Sequence, residues 1–222
     1  MKVCITDEDK EAILSAIKNE TPFVITTYKL TAEKMSYVNS AVSFFFSSLG
    51  MEEFIDHVTY CIQELATNAK KANTKRVYFK ERGLNLFDDN QYEQGMKDFK
   101  EETLSNIAHY LALQEEQNLY IKISMQKKGD EIILETRNNC LLTKFESIRI
   151  LEKLEHSKHI ASSQEAFDQI LDNSEGAGLG IIIMMLMLKK SGINEDNLTF
   201  IQGKDETIAR LKINIEQKPM SA

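Results

Sequence analysis

The sequence predicts an α+β fold with two layers, in which helices cover one face of a mixed, mostly antiparallel β-sheet. Segments rich in β-branched and aromatic residues occur mostly as hairpin pairs, and longer segments between them have apolar residues at helical spacing. Only nine glycines and two prolines occur in 222 residues, which favours long regular elements over a turn-rich sandwich. This length suits one domain, so we assign residues 1–222 to a single domain.

The first half of the chain is predicted to be mainly helical. Thr31 is a suitable N-cap residue, because its hydroxyl can accept a hydrogen bond from the first turn of a helix. The predicted elements of this half, in order, are a helix over 7–18, a strand over 23–30, a helix from Thr31 to about Ser48, a helix from about Glu52 to Ala72 and a strand over 76–80.

The second half begins with a predicted helical insertion over 82–118. Its amphipathic face is either a docking surface for a partner or a cover for the sheet or the edge of a pocket. Gly129 and Asp130 supply the turn of a hairpin. The remaining predicted elements are strands over 119–126 and 131–138, a polar helical segment over about 141–175, an apolar helix over about 178–190, and strands over 198–202 and 208–215.

Charge, cysteine content and hydropathy exclude several classes of protein. A net charge of −7 argues against a general nucleic-acid-binding protein, which needs a basic surface. The three cysteines are far apart and form no C-x-x-C pair, so neither a zinc ribbon nor a disulfide scaffold is predicted. The N-terminus lacks the apolar core of a signal peptide, and the apolar run at 179–188 is too short to span a bilayer. We therefore expect a cytoplasmic protein that binds neither nucleic acid nor membranes.

Residues 63–73, QELATNAKKAN, place three polar side chains on one helical face. Glu64, Asn68 and Lys71 are spaced i, i+4 and i+7. A carboxylate can act as a general base, an amide oxygen can ligate Mg²⁺, and an ammonium group can contact phosphate. The alternative is the solvated face of an amphipathic helix, on which such spacing is common.

Two further segments carry residues suited to nucleotide binding. Asn138 and Asn139 stand where a predicted strand ends, and their amides either hydrogen-bond a base edge or form an Asn-rich turn. Gly176, Gly178 and Gly180 precede an apolar helix, whose free N–H groups can bind phosphate. The alternative for these glycines is close packing of the helix entry. Their spacing fits neither a P-loop nor the dinucleotide fingerprint.

Taken in order, QELATNAKKAN, RNNC and GAGLGI resemble the N-box and the two glycine boxes of the histidine-kinase-like ATPase superfamily. This superfamily includes gyrase, heat-shock-90 and histidine-kinase types, which share the Bergerat-type ATP-binding fold. The segment KDETIARLKI at 204–213 is similar to the closing strand of that fold. The strand and helix before the N-box make the layout most similar to that of the anti-sigma-factor serine kinases.

The resemblance implies a Mg²⁺-ATP site beneath a lid at about 141–175. Glu64 corresponds to the general base of the family and Asn68 to the ligand of Mg²⁺. Asn138 replaces the aspartate that binds adenine, and Thr207 corresponds to a threonine that helps to bind it. The cofactor-binding residues implied in this way are Asn68, Lys71, Asn138, Asn139, Gly176, Gly178, Leu179, Gly180 and Thr207.

The departures from the family pattern leave several functions open. Cys140 and Leu142 stand where the first glycine box has glycines, which reduces the freedom of the lid hinge. The resemblance implies a cytoplasmic regulatory protein that is a Mg²⁺-ATP-dependent serine/threonine kinase or an ATPase. The alternatives are a catalytically weak nucleotide-sensing module and a histidine-kinase-type core that acts in trans. The implied partner is a protein similar to a sigma factor, an anti-anti-sigma factor or a response regulator, and a homodimer is compatible with the family.

Overall fold

A computed structural model describes residues 4–159 and 179–215 of the chain. Its helices are α1 (Asp7–Lys18), α2 (Ala32–Ser47), α3 (Ile55–Glu81), α4 (Asp89–Ser105), α5 (Ile107–Glu116), α6 (Lys144–His159) and α7 (Leu179–Lys190). Its strands are β1 (Phe23–Thr27), β2 (Ile121–Lys128), β3 (Glu131–Asn138), β4 (Leu198–Gln202) and β5 (Thr207–Asn214). Short 3₁₀ turns at Glu52–Phe54 and Glu195–Asn197 precede α3 and β4.

The strands form one sheet in the order β1-β2-β3-β5-β4. Every pair of strands is antiparallel within the described residues, so the mixed sheet expected from the sequence has no parallel pair there. The hairpin predicted at Gly129 is confirmed, and this glycine has a φ of +57°, which glycine adopts at little cost. The strands predicted at 198–202 and 208–215 are confirmed as β4 and β5, and the strand predicted at 23–30 is confirmed as β1, which ends earlier, at Thr27.

The two faces of the sheet differ in chemistry, which confirms the α+β arrangement. One face carries Ile25, Ile123, Leu134 and Leu211, which are buried in one apolar core with residues of α1, α2, α3 and α7. The opposite face carries charged side chains at alternate positions: Lys122, Glu131, Glu135, Arg137, Arg210 and Lys212. A strand with this alternation buries one face and solvates the other.

Polar caps fix the start of several helices, and among them the N-cap predicted at Thr31 is confirmed. In each case a side-chain oxygen accepts a hydrogen bond from the backbone N–H three residues later, which stabilises a helix by about 1 kcal/mol. The capping residues are Thr6 (3.1 Å to Asp9 N), Thr31 (3.1 Å to Lys34 N), Asp88 (3.0 Å to Gln91 N) and Thr143 (3.1 Å to Glu146 N).

The strand predicted at 76–80 is wrong, because α3 continues through these residues. Residues 77–79 are consecutive and almost completely buried, although they belong to a helix. The burial comes from α4 and α5, which pack around the C-terminal half of α3. The Tyr78 ring lies 5.2 Å from that of Phe99, edge to face, and 5.9 Å from that of Tyr110.

The helical character predicted for the insertion at 82–118 is confirmed by α4 and α5. Its apolar side chains, including Tyr92, Met96 and Phe99, cover α3 in a second apolar cluster. This arrangement agrees with the covering role that the sequence allowed, although the element covered is a helix and not the sheet. Leu104 and Ile107, where α4 meets α5, stay exposed.

Candidate functional site

Helix α3 holds the first motif and packs against β2, β3 and α7. Glu64 and Asn68 are half-buried on it, whereas Lys71 is exposed. Burial and the charge of Glu64 together raise the pKa of Tyr60, one turn earlier. Helix α3 therefore holds the Glu64 carboxylate and the Asn68 amide in partly buried positions, and the Lys71 ammonium group in solvent.

The first and third motifs meet where Glu64 contacts Gly180. Gly180 is the second residue of α7, and a Cβ atom at this position would overlap the Glu64 carboxylate. Only a residue without a side chain allows this approach of helix backbone to a carboxylate. Leu179 begins α7, while Gly176 and Gly178 lie outside the described residues.

Asn138 of the second motif lies on the central strand of the sheet and is 5% exposed. It ends β3 and pairs with Thr207, the first residue of β5. Its side-chain Nδ2 donates to Asn73 Oδ1 of α3 at 3.1 Å. Asn73 in turn donates from Nδ2 to the backbone oxygens of Leu119 and Tyr120, at 3.3 and 3.2 Å. A buried amide thus joins the motif helix to the ends of two strands.

Cys140 and Thr207 complete this buried polar cluster. The Cys140 thiol donates to Asn73 Oδ1 at 3.2 Å, and burial raises the pKa of this thiol, so it stays protonated at neutral pH. The Thr207 hydroxyl donates to the Cys140 backbone oxygen at 2.6 Å. Cys140, where the resemblance in sequence implies a glycine, is therefore buried and is held at both its thiol and its carbonyl.

Asn139 points to a different set of partners. Its Oδ1 accepts from Tyr120 N at 2.8 Å, and its Nδ2 donates to Asn118 O at 2.9 Å. Both ends of this amide therefore hold the chain that leads into β2, as in the Asn-rich turn that the sequence allowed. A role for Asn139 in cofactor binding stays a prediction.

A buried ion pair ties α6 to the motif helix. Glu146, in the first turn of α6, accepts from Arg76 at 2.8 Å and from Lys75 at 2.9 Å on α3. Burial alone raises the pKa of Glu146, but hydrogen bonds from Arg76 and the charges of Lys75 and Arg76 outweigh it and lower the pKa to about 2. The carboxylate also accepts from Thr143 N at 3.0 Å, which closes a capping box.

Three residues of this region were not predicted from the sequence, namely Asn73, Arg76 and Glu146. The spacing of Thr143 and Glu146 is a capping-box signature that could have marked the start of α6. Asn73 and Arg76 gave no such signal, because their partners lie 65 and 70 positions away.

Other kinds of site find little support in the described ranges 4–159 and 179–215. They contain no group of three His, Cys, Asp or Glu side chains that could hold a metal ion. They also contain no helix that is long and apolar enough to cross a membrane.

Comparisons with known proteins assign no activity to the chain. No family model matches it, and no solved structure matches it. It is 46% identical over 210 residues to a protein of Treponema pallidum (strain Nichols) that is described as uncharacterized. The match covers 94% of this chain and 41% of that protein, so the chain spans about two fifths of the length of the curated relative. The function must therefore be inferred from the geometry of the site.

Proposed function

We propose that the chain has a Bergerat-type fold and acts as a regulatory module that binds Mg²⁺-ATP. One observation carries the proposal, namely that three segments distant in sequence converge around α3. Glu64 contacts Gly180 at the start of α7, and Asn73 is hydrogen-bonded to Asn138 at the end of β3. The resemblance in sequence predicted that these segments would share a site.

The side chains around α3 suit a nucleotide and its cation. Asn68, one turn after Glu64, offers the carboxamide oxygen that a hard cation accepts as a ligand. The N-terminus of α7 offers backbone N–H groups to phosphate oxygens. Asn138 and Thr207, side by side on adjacent strands, offer polar contacts to a base.

The charge of Glu64 makes a cation necessary for this binding mode. A phosphate at the start of α7 would lie close to the Glu64 carboxylate. Two like charges 4 Å apart repel by about 4 kcal/mol at an effective dielectric constant of 20. Bound Mg²⁺ would supply the positive charge that offsets this repulsion, so we expect nucleotide binding to depend on Mg²⁺.

A regulatory role follows from the connection between the site and α6. The same helix that carries Glu64 and Asn68 also holds Glu146 of α6 through Lys75 and Arg76. A ligand that favours one position of α3 would therefore also favour one position of α6. The module would act in the cytoplasm on a protein partner similar to a sigma factor, an anti-anti-sigma factor or a response regulator.

Calorimetric titration with Mg²⁺-ATP and Mg²⁺-ADP tests the proposal. We expect saturable heat with Mg²⁺ present and much weaker binding when EDTA removes the cation. Asn68→Ala should weaken the Mg²⁺-dependent part of the affinity. Asn90→Ala is the matched control, because Asn90 is exposed on α4, and it should leave binding unchanged. A titration without heat for either nucleotide would refute the proposal.

A second candidate function is phosphoryl transfer to a serine or threonine of a protein, or to water. The Glu64 carboxylate on α3 lies against the start of α7. This placement favours phosphoryl transfer, because a general base must lie near the reacting phosphate. Glu64→Ala should then lower turnover about 10²- to 10⁴-fold while ATP binding persists. Equal turnover in variant and wild type would remove this role.

A histidine-kinase-type core acting in trans would leave acid-labile phosphate on its partner, whereas a serine kinase leaves acid-stable phosphate.

A further inference from the structure

The face of the sheet that points away from the helices is positively charged, although the chain as a whole is acidic. We call it the outer face and define its charged part by side chains at alternate positions of β2, β3 and β5, together with Glu206, which contacts Arg137: Lys122, Lys128, Glu131, Glu135, Arg137, Glu206, Arg210 and Lys212. These five cations and three carboxylates leave a surplus of two positive charges. The chain carries −7, so all its other residues together carry −9. A surface whose charge is opposite to that of the rest of the molecule attracts acidic partners.

Glu135 holds the centre of the outer face in place. Its Oε1 accepts from Arg210 Nε at 2.7 Å, and its Oε2 accepts from Arg137 Nε at 2.9 Å. Burial alone raises the pKa of Glu135, but hydrogen bonds from the two arginines and their charges outweigh it and lower the pKa. The carboxylate therefore stays ionised at neutral pH and fixes both guanidinium groups before any partner binds, which reduces the entropy cost of binding.

Two cations of the outer face keep the capacity to bind another acidic group. Arg210 uses Nε for Glu135, and its Nη1 and Nη2 have no hydrogen-bond partner in the described part of the chain. Lys122 Nζ lies 4.2 Å from the centre of the Tyr120 ring and pairs with no carboxylate of the described residues. Lys122 and Arg210 are two strands and two residues apart, so their Cα atoms are separated by about 12 Å. One segment of a partner can therefore place a carboxylate on each of them.

Apolar side chains lie between the charged ones on the outer face. Ile208 pairs with Arg137 on one side and with Ile201 on the other, and Ile133 pairs with Lys212. Val24 of β1 is 48% exposed on the same face. Arginine and apolar side chains are enriched in the core of protein–protein interfaces. A partner that fits this surface therefore carries both carboxylates and apolar side chains.

We propose that the outer face is a docking surface for an acidic segment of another protein, in which apolar residues alternate with glutamate or aspartate. Lys122 and Arg210 contact its carboxylates, and the isoleucines contact its apolar side chains. The inference goes beyond the proposed function, because the nucleotide is proposed to bind on the opposite side of the sheet, where Asn138 and α3 meet.

Other occupants fit the outer face less well. Two outer faces packed on each other would bring together surfaces of the same charge. An outer face packed on an acidic surface of a second copy would leave one surface of each kind free, so the contact would continue into open filaments. The phosphates of a nucleic acid or a membrane would meet Glu131, Glu135 and Glu206 among the cations and would be repelled by them.

Fluorescence polarisation with the full chain tests the proposal. The probe is a labelled peptide that repeats Glu-Leu-Glu, and a peptide that repeats Gln-Leu-Gln is its uncharged control. We expect saturable binding of the acidic peptide only, and weaker binding as NaCl screens the charges. Lys122→Ala/Arg210→Ala should weaken binding about tenfold, because two exposed ion pairs are lost. Lys97→Ala/Lys100→Ala removes the same charge from the exposed side of α4 and should leave binding unchanged.

Two results with the acidic peptide would overturn the inference. The first is absence of binding to wild type at low salt. The second is an equal loss of affinity in the two double variants, because binding would then follow the net charge of the chain and not the outer face. If Lys122→Ala/Arg210→Ala lacks the circular dichroism of wild type, Lys122→Ala alone decides, since it removes only the contact with the Tyr120 ring.

Further measurements separate the occupants. Tighter binding of oligothymidylate or of phosphatidylglycerol vesicles than of the acidic peptide would overturn the inference in favour of a nucleic acid or a membrane. Self-association in sedimentation that Lys122→Ala/Arg210→Ala abolishes would overturn it in favour of a second copy. Each of these results leaves the proposal of Mg²⁺-ATP binding intact, because calorimetry with the nucleotide measures that separately.

Discussion

At the scale of single residues, Glu146 links two helices through its charge. Its side chain is 11% exposed and lies within 3 Å of both Arg76 and Lys75. Its folded pKa of about 2 lies below the ordinary value of 4.5 that an unfolded chain would show. A carboxyl whose pKa is lowered by folding stabilises the fold fully above its unfolded pKa, and this contribution is lost as the pH falls toward the folded pKa. The shift corresponds to about 3 kcal/mol, lost between about pH 5 and pH 2.

Replacing this carboxyl by an amide tests the argument. Glu146→Gln leaves Arg76 and Lys75 buried without a counter-charge, so we expect the free energy of unfolding at pH 7 to fall by about 3–5 kcal/mol. The variant should also lose less stability than wild type between pH 5 and pH 3. Urea unfolding at pH 7, 4 and 3 measures both effects. Glu152→Gln, on the exposed part of α6, should behave like wild type. Parallel pH profiles for Glu146→Gln and wild type would contradict the assignment.

Asn73 illustrates what a sequence reveals at the scale of residues. It stands inside the motif QELATNAKKAN, and helical spacing predicts which residues share its face. Its role depends on Asn138, however, and on the carbonyls of Leu119 and Tyr120. Spacing along one helix carries no information on these partners. The N-cap at Thr31 was predictable, in contrast, because both of its hydrogen-bonding groups lie within four residues.

At the scale of elements, local signals predicted most of the fold. The hairpin of β2 and β3 was predictable because alternating residues flank a turn with Gly129. The strand predicted at 76–80 failed because its β-branched and aromatic residues indicate burial, and burial does not specify the element. Here α4 and α5 supply it, so three consecutive residues can be buried without a sheet.

The packing of the insertion on α3 gives a prediction at this scale. Tyr78 is almost completely buried and contacts the rings of Phe79, Phe99 and Tyr110. Tyr78→Ala should therefore lower the free energy of unfolding by about 3–5 kcal/mol through the cavity and the lost ring contacts. Amide hydrogen exchange should accelerate first in α4 and α5, because the substitution weakens the packing of these helices against α3.

Phe87 provides the matched aromatic control, because its side chain is 62% exposed just before α4. Phe87→Ala should change the free energy of unfolding by no more than about 0.5 kcal/mol. Similar losses in the two variants would show that the insertion does not pack on α3 as described.

At the scale of the whole molecule, the layered fold class was predictable and the order of the strands in the sheet was not. Alternation of apolar and polar residues predicted a sheet with one buried face, as Ile123 and Leu134 on one side and Lys122 and Arg137 on the other confirm. The order β1-β2-β3-β5-β4 depends on connections that run through helices. Their path is set by packing in the common core, which leaves no local trace in the sequence.

The common core makes ligand binding measurable as global stability. Helices α3 and α7 and the strands that end at Asn138 and begin at Thr207 contribute to one continuous apolar cluster. A ligand that binds only the folded chain stabilises it by about 2.7 kcal/mol at a concentration of 100 times its dissociation constant. For a chain of this size, that corresponds to a rise in melting temperature of roughly 5–10 °C.

Thermal unfolding with Mg²⁺ alone, ATP with EDTA, and Mg²⁺ with ATP therefore tests the site as a unit. We expect the full rise only with Mg²⁺ and ATP together, because the Glu64 carboxylate opposes a phosphate that lacks its cation. Asn68→Ala should reduce the rise, while Asn90→Ala should keep it. An equal rise with ATP in EDTA would mean that the nucleotide binds away from Glu64, since only a site remote from this carboxylate is insensitive to the cation.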